Sequence, residues 1–199
     1  MKVIFTIFIA LLASMPMSAQ DTNFGVKGGL NFSNFFADEP DDTNIKTGLN
    51  FSLYSRKALV DELLFLQAEL GYSGKGSKVE GDFGEMELGL AYLELPLMAS
   101  VGIGNTIFVE GGAYAAYLLD ANISGEDNLG NSFSDEIDRD NFKDFDYGLA
   151  VGANVNLSSL VVGARYYYGM QDIVDSDLVS SALGDVRNSN IQVYVAFEF

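Results

Sequence analysis

The feature that most constrains this chain is an alternation of apolar and polar residues that recurs in about eight stretches. In the last stretch, IQVYVAFEF at residues 191–199, Ile, Val, Val, Phe and Phe occupy the odd positions. The residues between them are Gln, Tyr, Ala and Glu. A period of two indicates a β-strand with one apolar face and one polar face. The pattern therefore predicts an all-β chain of two-sided strands.

Charged residues keep to the polar face of each predicted strand, as in LLFLQAELGYS at residues 63–73 and VGARYYYGMQDI at 162–173. The polar faces hold only one or two charges each and are otherwise filled by Gly, Ser, Asn, Gln and Tyr. This composition is typical of the crowded interior of a narrow barrel whose outer face contacts lipid. Closure is expected because an open sheet edge in hydrocarbon leaves costly unpaired backbone groups.

The chain begins with MKVIFTIFIALLASMPMSAQ, in which a lysine precedes an apolar run at residues 3–12. Such a run is shorter than the roughly 20 residues that a membrane-spanning helix needs. Small residues follow it and end in Ala19. We therefore predict a signal peptide at residues 1–19 and one barrel domain at residues 20–199.

The composition excludes several classes of function. The 199 residues include no cysteine and no histidine, so thiol chemistry, the commonest general base and the commonest transition-metal ligand are absent. A net charge of −17 disfavours binding to nucleic acid. We expect no cofactor, no metal site and no catalytic residue.

The predicted connections alternate between short and long, which gives the barrel an orientation. Short turns fall at 102–105 and 157–159, with a longer one at 55–62, whereas long polar segments cover 37–45, 74–87, 120–144 and 171–188. With Asp146 included, the long segments hold 21 of the 28 acidic residues. Short periplasmic turns and long external loops are typical of outer-membrane barrels. Aromatic residues near the loop ends suit an interfacial girdle: Phe32, Tyr72, Tyr117, Phe145, Tyr147, Tyr166 and Tyr168.

Several segments resemble the PorT-like outer-membrane β-barrel family over nearly all of the mature chain. They are FGVKGGLNFSNF, LQAELGYSGKG, YLELPL, VEGGAYAAYLL, FDYGLAVG and VGARYYYGMQDI. The resemblance implies a small eight-stranded barrel in the outer membrane of a Gram-negative cell. It also implies that the terminal Phe199 is recognised by the barrel-assembly machinery.

The polar faces predict a lumenal charge network of six residues: Lys27, Glu69, Glu94, Glu110, Arg165 and Glu198. Glu94 and Glu110 lie on strands joined by a tight turn, and we expect them to be diagonal neighbours. Two adjacent carboxylates could perform acid–base chemistry, which is the enzymatic alternative. Buried charges are normally paired, however, so a structural ion-pair network is favoured.

The acidic loops raise two further alternatives. Acidic clusters at 38–42 and 135–140 could bind divalent cations, but neither has the spacing of a calcium loop. The loops could instead form an adhesive or receptor surface for an unknown ligand. In the third long segment, Ile123, Leu129, Phe133 and Ile137 could continue as a hairpin above the membrane.

The sequence thus predicts an all-β, eight-stranded, antiparallel up-and-down barrel in the outer membrane. Its expected role is structural or in surface interaction, without enzymatic activity or a wide pore. The alternative is a secreted or periplasmic lipocalin-like barrel that binds an apolar ligand. In that case the apolar faces would point inward, and the outer face would need far more charge.

Overall fold

A computed structural model describes residues 22–36, 43–60, 63–81, 84–127, 132–136, 142–172 and 187–199. The predicted signal peptide lies outside these residues. In the described ranges, no helix is long and apolar enough to cross a membrane. The described strands are β1 (Thr22–Phe36), β2 (Thr43–Val60), β3 (Leu64–Gly81), β4 (Gly84–Ile103), β5 (Ile107–Asp127), β6 (Ser132–Glu136), β7 (Phe145–Leu157), β8 (Leu160–Asp172) and β9 (Arg187–Glu198).

Eight of these strands close into an antiparallel barrel, as the sequence predicts. Each barrel strand pairs with its neighbour in the chain, with β5 joined to β7, and β9 pairs with β1 to close the cylinder. The terminal residue takes part in this closure. The backbone N–H of Phe199 donates to the carbonyl oxygen of Phe24 at 2.9 Å, and the N–H of Phe24 donates back at 3.4 Å.

The apolar faces point outward. Along β9, Val193 is 44% exposed and Val195 is 50% exposed, whereas Tyr194 between them is 4% exposed. The same alternation runs along β7, β8 and most of the other barrel strands. Such a surface is stable against hydrocarbon and unstable against water. The predicted aromatic girdle lies near the loop ends, where the rings of Tyr117 and Phe145 pack edge to face with centroids 5.2 Å apart.

All seven predicted connections overlap the observed strands, and the overlap is largest at three of them. Residues 55–60 belong to β2, residues 74–81 and 84–87 belong to β3 and β4, and residues 120–127 belong to β5. These segments are rich in Gly, Ser and charge, which is typical of loops. They nevertheless form ladders because each finds a backbone partner on the adjacent strand. Alternation with an apolar outer face is required only where the sheet contacts lipid.

The end of β5 near the long connections differs from a strand of a simple barrel in two ways. Leu119 is an extra residue of β5 between the partners of Ala91 and Tyr92, so the side-chain alternation shifts at this bulge. Above the bulge, β6 pairs with β5 and places Phe133 opposite Gly125. The predicted hairpin is therefore present over Ser132–Glu136, while Leu129 and Ile137 lie outside the described residues.

Candidate functional site

The centre of the lumen holds four of the six predicted charged residues in one ion-pair cluster, here called the central layer. Lys27 on β1 forms an ion pair with Glu69 on β3 and donates a hydrogen bond to Gln192 at 3.0 Å. Arg165 on β8 bridges Glu69 at 2.8 Å and Glu110 on β5 at 2.9 Å. Two cations therefore balance two carboxylates. Their strands bring them together because all four lie on inward positions of the alternation.

Neutral side chains add further hydrogen bonds to the central layer. Glu110 accepts from the Tyr194 hydroxyl at 3.1 Å and from the Asn154 amide at 3.3 Å. Glu69 accepts from the Gln67 amide at 2.8 Å. Arg165 also donates to the Tyr167 hydroxyl at 2.9 Å. These bonds explain the Asn, Gln and Tyr content of the inner face, since buried charges need partners on every side.

A second ion pair lies near the short turns and is here called the turn layer. Arg56 on β2 approaches Glu198 on β9, with an Nη1 to Oε1 distance of 3.4 Å. The guanidinium carbon lies 4.1 Å from the centroid of the Phe65 ring and 4.6 Å from that of Phe108. Contact with the two rings stabilises a cation that has been removed from water. The turn layer closes this end of the lumen.

A third cluster fills the end of the lumen near the long connections and is here called the loop layer. Lys75 on β3 lies 2.5 Å from Glu94 on β4 and 3.8 Å from Asp146 on β7. Its Nζ is surrounded by three tyrosine rings, with centroid distances of 4.6–5.5 Å: Tyr92, Tyr114 and Tyr167. Leu90 and Leu118 are buried in the same apolar cluster. The loop layer therefore isolates a single ammonium group from water.

The predicted proximity of Glu94 and Glu110 is wrong. In the register of β4 and β5, Ser100 lies opposite Glu110, whereas Glu94 lies opposite Ala116. Six strand residues correspond to roughly 20 Å, so the two carboxylates lie in different layers. Each has its own cation, Lys75 for Glu94 and Arg165 for Glu110. The arrangement therefore lacks the paired carboxylates on which the acid–base alternative rested.

Sequence reasoning missed three charged members of the lumen: Arg56, Lys75 and Asp146. Arg56 and Lys75 lie in segments predicted as connections, and Asp146, although it lies on the polar face of a predicted strand, was not included in the predicted network. The alternation of inward and outward positions along the strands could have identified Arg56 and Lys75. Lys75 continues the inward series of Gln67, Glu69 and Ser73, and Arg56 continues that of Asn50 and Ser52.

The layers leave little free space in the lumen. A cavity of about 10 Å³ lies between the central and loop layers and is lined in part by Lys27, Asn50, Glu69, Glu94 and Gln192. That volume corresponds to about one water molecule. Within the described residues, no group of three or more Asp, Glu, His or Cys side chains could hold a metal ion. The lumen is thus a packed interior in which most of the charged groups form ion pairs.

Comparison with known proteins agrees with this geometry. The family model described as "Outer membrane protein beta-barrel domain" matches residues 18–175. None of the curated proteins compared with the chain matches it.

The fold is similar to that of several solved structures, of which two follow. The attachment invasion locus protein, Ail, of Yersinia pestis is 15% identical, with a TM-score of 0.50 over 90% of this chain and 100% of that one. Neisserial surface protein A, NspA, is 12% identical, with a TM-score of 0.50 over 88% of this chain and 97% of that one.

The outward apolar surface and the family match together exclude the soluble lipocalin-like alternative. The prediction of an integral outer-membrane barrel is confirmed, and its outer face contacts membrane lipid. The chain belongs to the outer membrane protein β-barrel domain family.

Proposed function

We propose that this protein is a non-enzymatic outer-membrane barrel that acts at the cell surface and forms no wide pore. The observation that carries the proposal is the filled lumen. Three layers of buried charge and aromatic rings occupy it from the turn end to the loop end. An eight-stranded barrel has an interior just wide enough to be filled by side chains. An aqueous path would require displacement of these paired groups.

A conductance experiment tests the absence of a pore. Purified protein is reconstituted into planar bilayers, and Arg165→Ala serves as the comparison because it removes the cation that bridges the central layer. We expect the unmodified protein to show no steady conductance above the protein-free bilayer. A stable, ion-selective conductance of the unmodified barrel would contradict the proposal.

An enzymatic role is disfavoured by the same contacts. Glu94 and Glu110 are each neutralised by a buried cation and are 4% and 3% exposed, so neither is available to a substrate from water. Glu94→Gln and Glu110→Gln should change the stability of the barrel, and neither substitution should abolish a catalytic activity of the protein. Loss of an activity in a variant that remains folded would restore the enzymatic alternative.

The surface role is assigned to the wall formed by β3, β4, β5 and β6. These strands continue beyond the aromatic girdle, and β3 runs nine residues past Tyr72. Nine strand residues correspond to roughly 30 Å. The ends of these four strands beyond the girdle, here called the rim, are rich in acidic residues, so we infer that the surface partner is cationic. Ail was solved with the heparin analogue sucrose octasulfate, a polyanion that the acidic rim of this chain should repel.

Binding of a cationic probe tests this surface role. Vesicles that contain the protein are titrated with fluorescent polylysine at low and high salt. A variant in which Lys78–Glu87 is replaced by a two-residue Asn-Gly turn shortens the wall but leaves the lipid-facing ladder intact. We expect weaker polylysine binding to the shortened variant at low salt. Equal binding by both proteins would show that the wall is not the interaction surface.

Export and assembly complete the proposal. We infer that residues 1–19 act as a signal peptide, that the chain is PorT-like within its family, and that Phe199 marks it for the barrel-assembly machinery. Phe199 is 74% exposed, which leaves its ring free for recognition. Phe199→Ser should reduce the amount of folded barrel in the outer membrane of cells. Refolding of the same variant into detergent should proceed normally, and a defect there would indicate a structural role instead.

A further inference from the structure

The three layers of the lumen differ in their balance of charge. The turn layer has one cation and one carboxylate, and the central layer has two of each. Within the described part of the chain, the loop layer has one cation, Lys75, but two carboxylates, Glu94 and Asp146. Asp146 has no exposed surface, and Glu94 is 4% exposed. Among the described residues, one buried carboxylate of the loop layer therefore shares Lys75 and has no positive charge of its own.

The contacts of Asp146 indicate how this excess is resolved. Its Oδ2 accepts from the Asn188 amide of β9 at 2.8 Å and from the Tyr114 hydroxyl of β5 at 3.2 Å. The other oxygen, Oδ1, is buried without a hydrogen-bond donor, and so is the Oδ1 of Asn188. Protonation of Asp146 would turn one of its oxygens into a hydroxyl donor, and an amide oxygen such as that of Asn188 accepts from such a donor.

A bound cation is a poorer explanation than a proton. The titratable groups around Asp146 are Lys75 on β3, Tyr92 and Glu94 on β4, Tyr114 on β5 and Tyr167 on β8. The Lys75 ammonium already occupies the space inside the three rings and would repel a second cation. Tyr92 and Tyr167 are each 1% exposed, so the space is closed to a hydrated ion. A proton needs no additional volume.

We propose that Asp146 remains protonated in the folded barrel at neutral pH and that the loop layer is a pH-linked closure of the lumen. The folded chain then holds one proton more than the unfolded chain at any pH above the acidic range in which an ordinary aspartate ionises. Stability contributed by this group is therefore lost as pH rises. Ionisation at alkaline pH leaves two buried carboxylates against one ammonium, which loosens the loop layer first.

Infrared spectroscopy on the unmodified protein tests the proton directly. A protonated carboxyl has a C=O stretch separate from that of carboxylates. We expect this band at about pH 7, where ordinary carboxyls are ionised, in vesicles of ether-linked lipid, which lacks the ester carbonyls that absorb in the same region. The band should be absent from Asp146→Asn. Its absence from the unmodified protein would overturn the proposal whether or not the variant folds, and its persistence in a folded variant would assign the proton elsewhere.

Unfolding by urea supplies the second measurement, with Glu110→Gln as the control from the balanced central layer. The folding constant of the unmodified protein relative to Asp146→Asn should fall about tenfold per pH unit above about pH 5 while Asp146 stays protonated. The folding constant of the unmodified protein relative to that of Glu110→Gln should not change with pH above about pH 6. A constant ratio to Asp146→Asn over about pH 5 to 8 would show that Asp146 is ionised, and would refute the closure mechanism.

Discussion

The central and loop layers of the lumen stabilise buried charge in different ways. In the central layer, Arg165 joins two carboxylates and Lys27 supplies the second positive charge. In the loop layer, a single ammonium lies among three tyrosine rings with two carboxylates nearby. Paired ions offset desolvation through Coulomb attraction, whereas the rings do so through their quadrupoles. Removal of a cation should therefore reduce the stability of the barrel more where two ionised carboxylates depend on that cation.

The largest effect is expected from Arg165→Met in the central layer. Removal of the guanidinium leaves Glu69 with Lys27 alone and leaves Glu110 without its cation. Breaking a buried pair in this way costs about 3–5 kcal/mol, and we expect the upper end of that range because two carboxylates are affected. Urea unfolding in lipid vesicles measures the change. A loss below about 1 kcal/mol would show that the central layer does not hold the barrel together.

Lys75→Met in the loop layer should have a smaller effect, of about 3 kcal/mol, because only Glu94 is then left as an ionised carboxylate. The same unfolding assay compares it with Arg165→Met. The double variant Lys75→Met/Glu94→Gln should regain most of the lost stability, since no unpaired charge remains. A loss as large as that of Arg165→Met, without recovery in the double variant, would remove the distinction between the layers.

Gly163→Ala tests how tightly the aromatic side of the central layer is packed. A Cβ at residue 163 would lie 2.6 Å from Cζ of Tyr194, the residue that donates to Glu110. Overpacking of this kind costs about 1–3 kcal/mol. Gly111→Ala is the matched control because its Cβ would meet only the Ala150 carbonyl oxygen at 3.9 Å. Equal thermal stability of the two variants would mean that the Tyr194 ring can move aside.

The smallest effect is expected at the rim, from Lys46→Met. Lys46 lies 3.6 Å from Glu87, and both side chains are partly exposed, at 15% and 37%. Solvent screening reduces such a pair to about 1 kcal/mol or less. The difference from the unmodified protein should disappear at high salt. A loss comparable with that of Lys75→Met would place the rim among the stabilising layers.

The sequence predicts the membrane-spanning part of the fold well because lipid imposes a strict alternation there. In β7, β8 and β9, the alternation alone predicts which side chains point outward and which inward, including the outward Phe197 and the inward Glu198. Above the girdle, prediction fails for a physical reason. Outside hydrocarbon, either face of a strand can be polar, so the Gly-rich upper parts of β3 and β4 have the composition of loops.

Prediction of the site was limited by register. Parity identifies which side chains point inward, and all six predicted lumenal residues do so. It does not determine the height at which they meet across the barrel, which depends on strand pairing and turn length. Hence Glu94 and Glu110 were expected to be neighbours although they lie in different layers. The cation between Glu94 and Asp146 was missed because Lys75 was assigned to a loop.

The most direct test of the account is lipid contact at two adjacent positions. The chain has no tryptophan, so Val109→Trp and Phe108→Trp each introduce a unique fluorophore at the same depth on β5. Val109 is 43% exposed on the outer face, and Phe108 is 4% exposed inside the lumen. In vesicles of brominated lipid, we expect strong quenching of Val109→Trp and little quenching of Phe108→Trp. The reverse result would show that the apolar faces surround the interior.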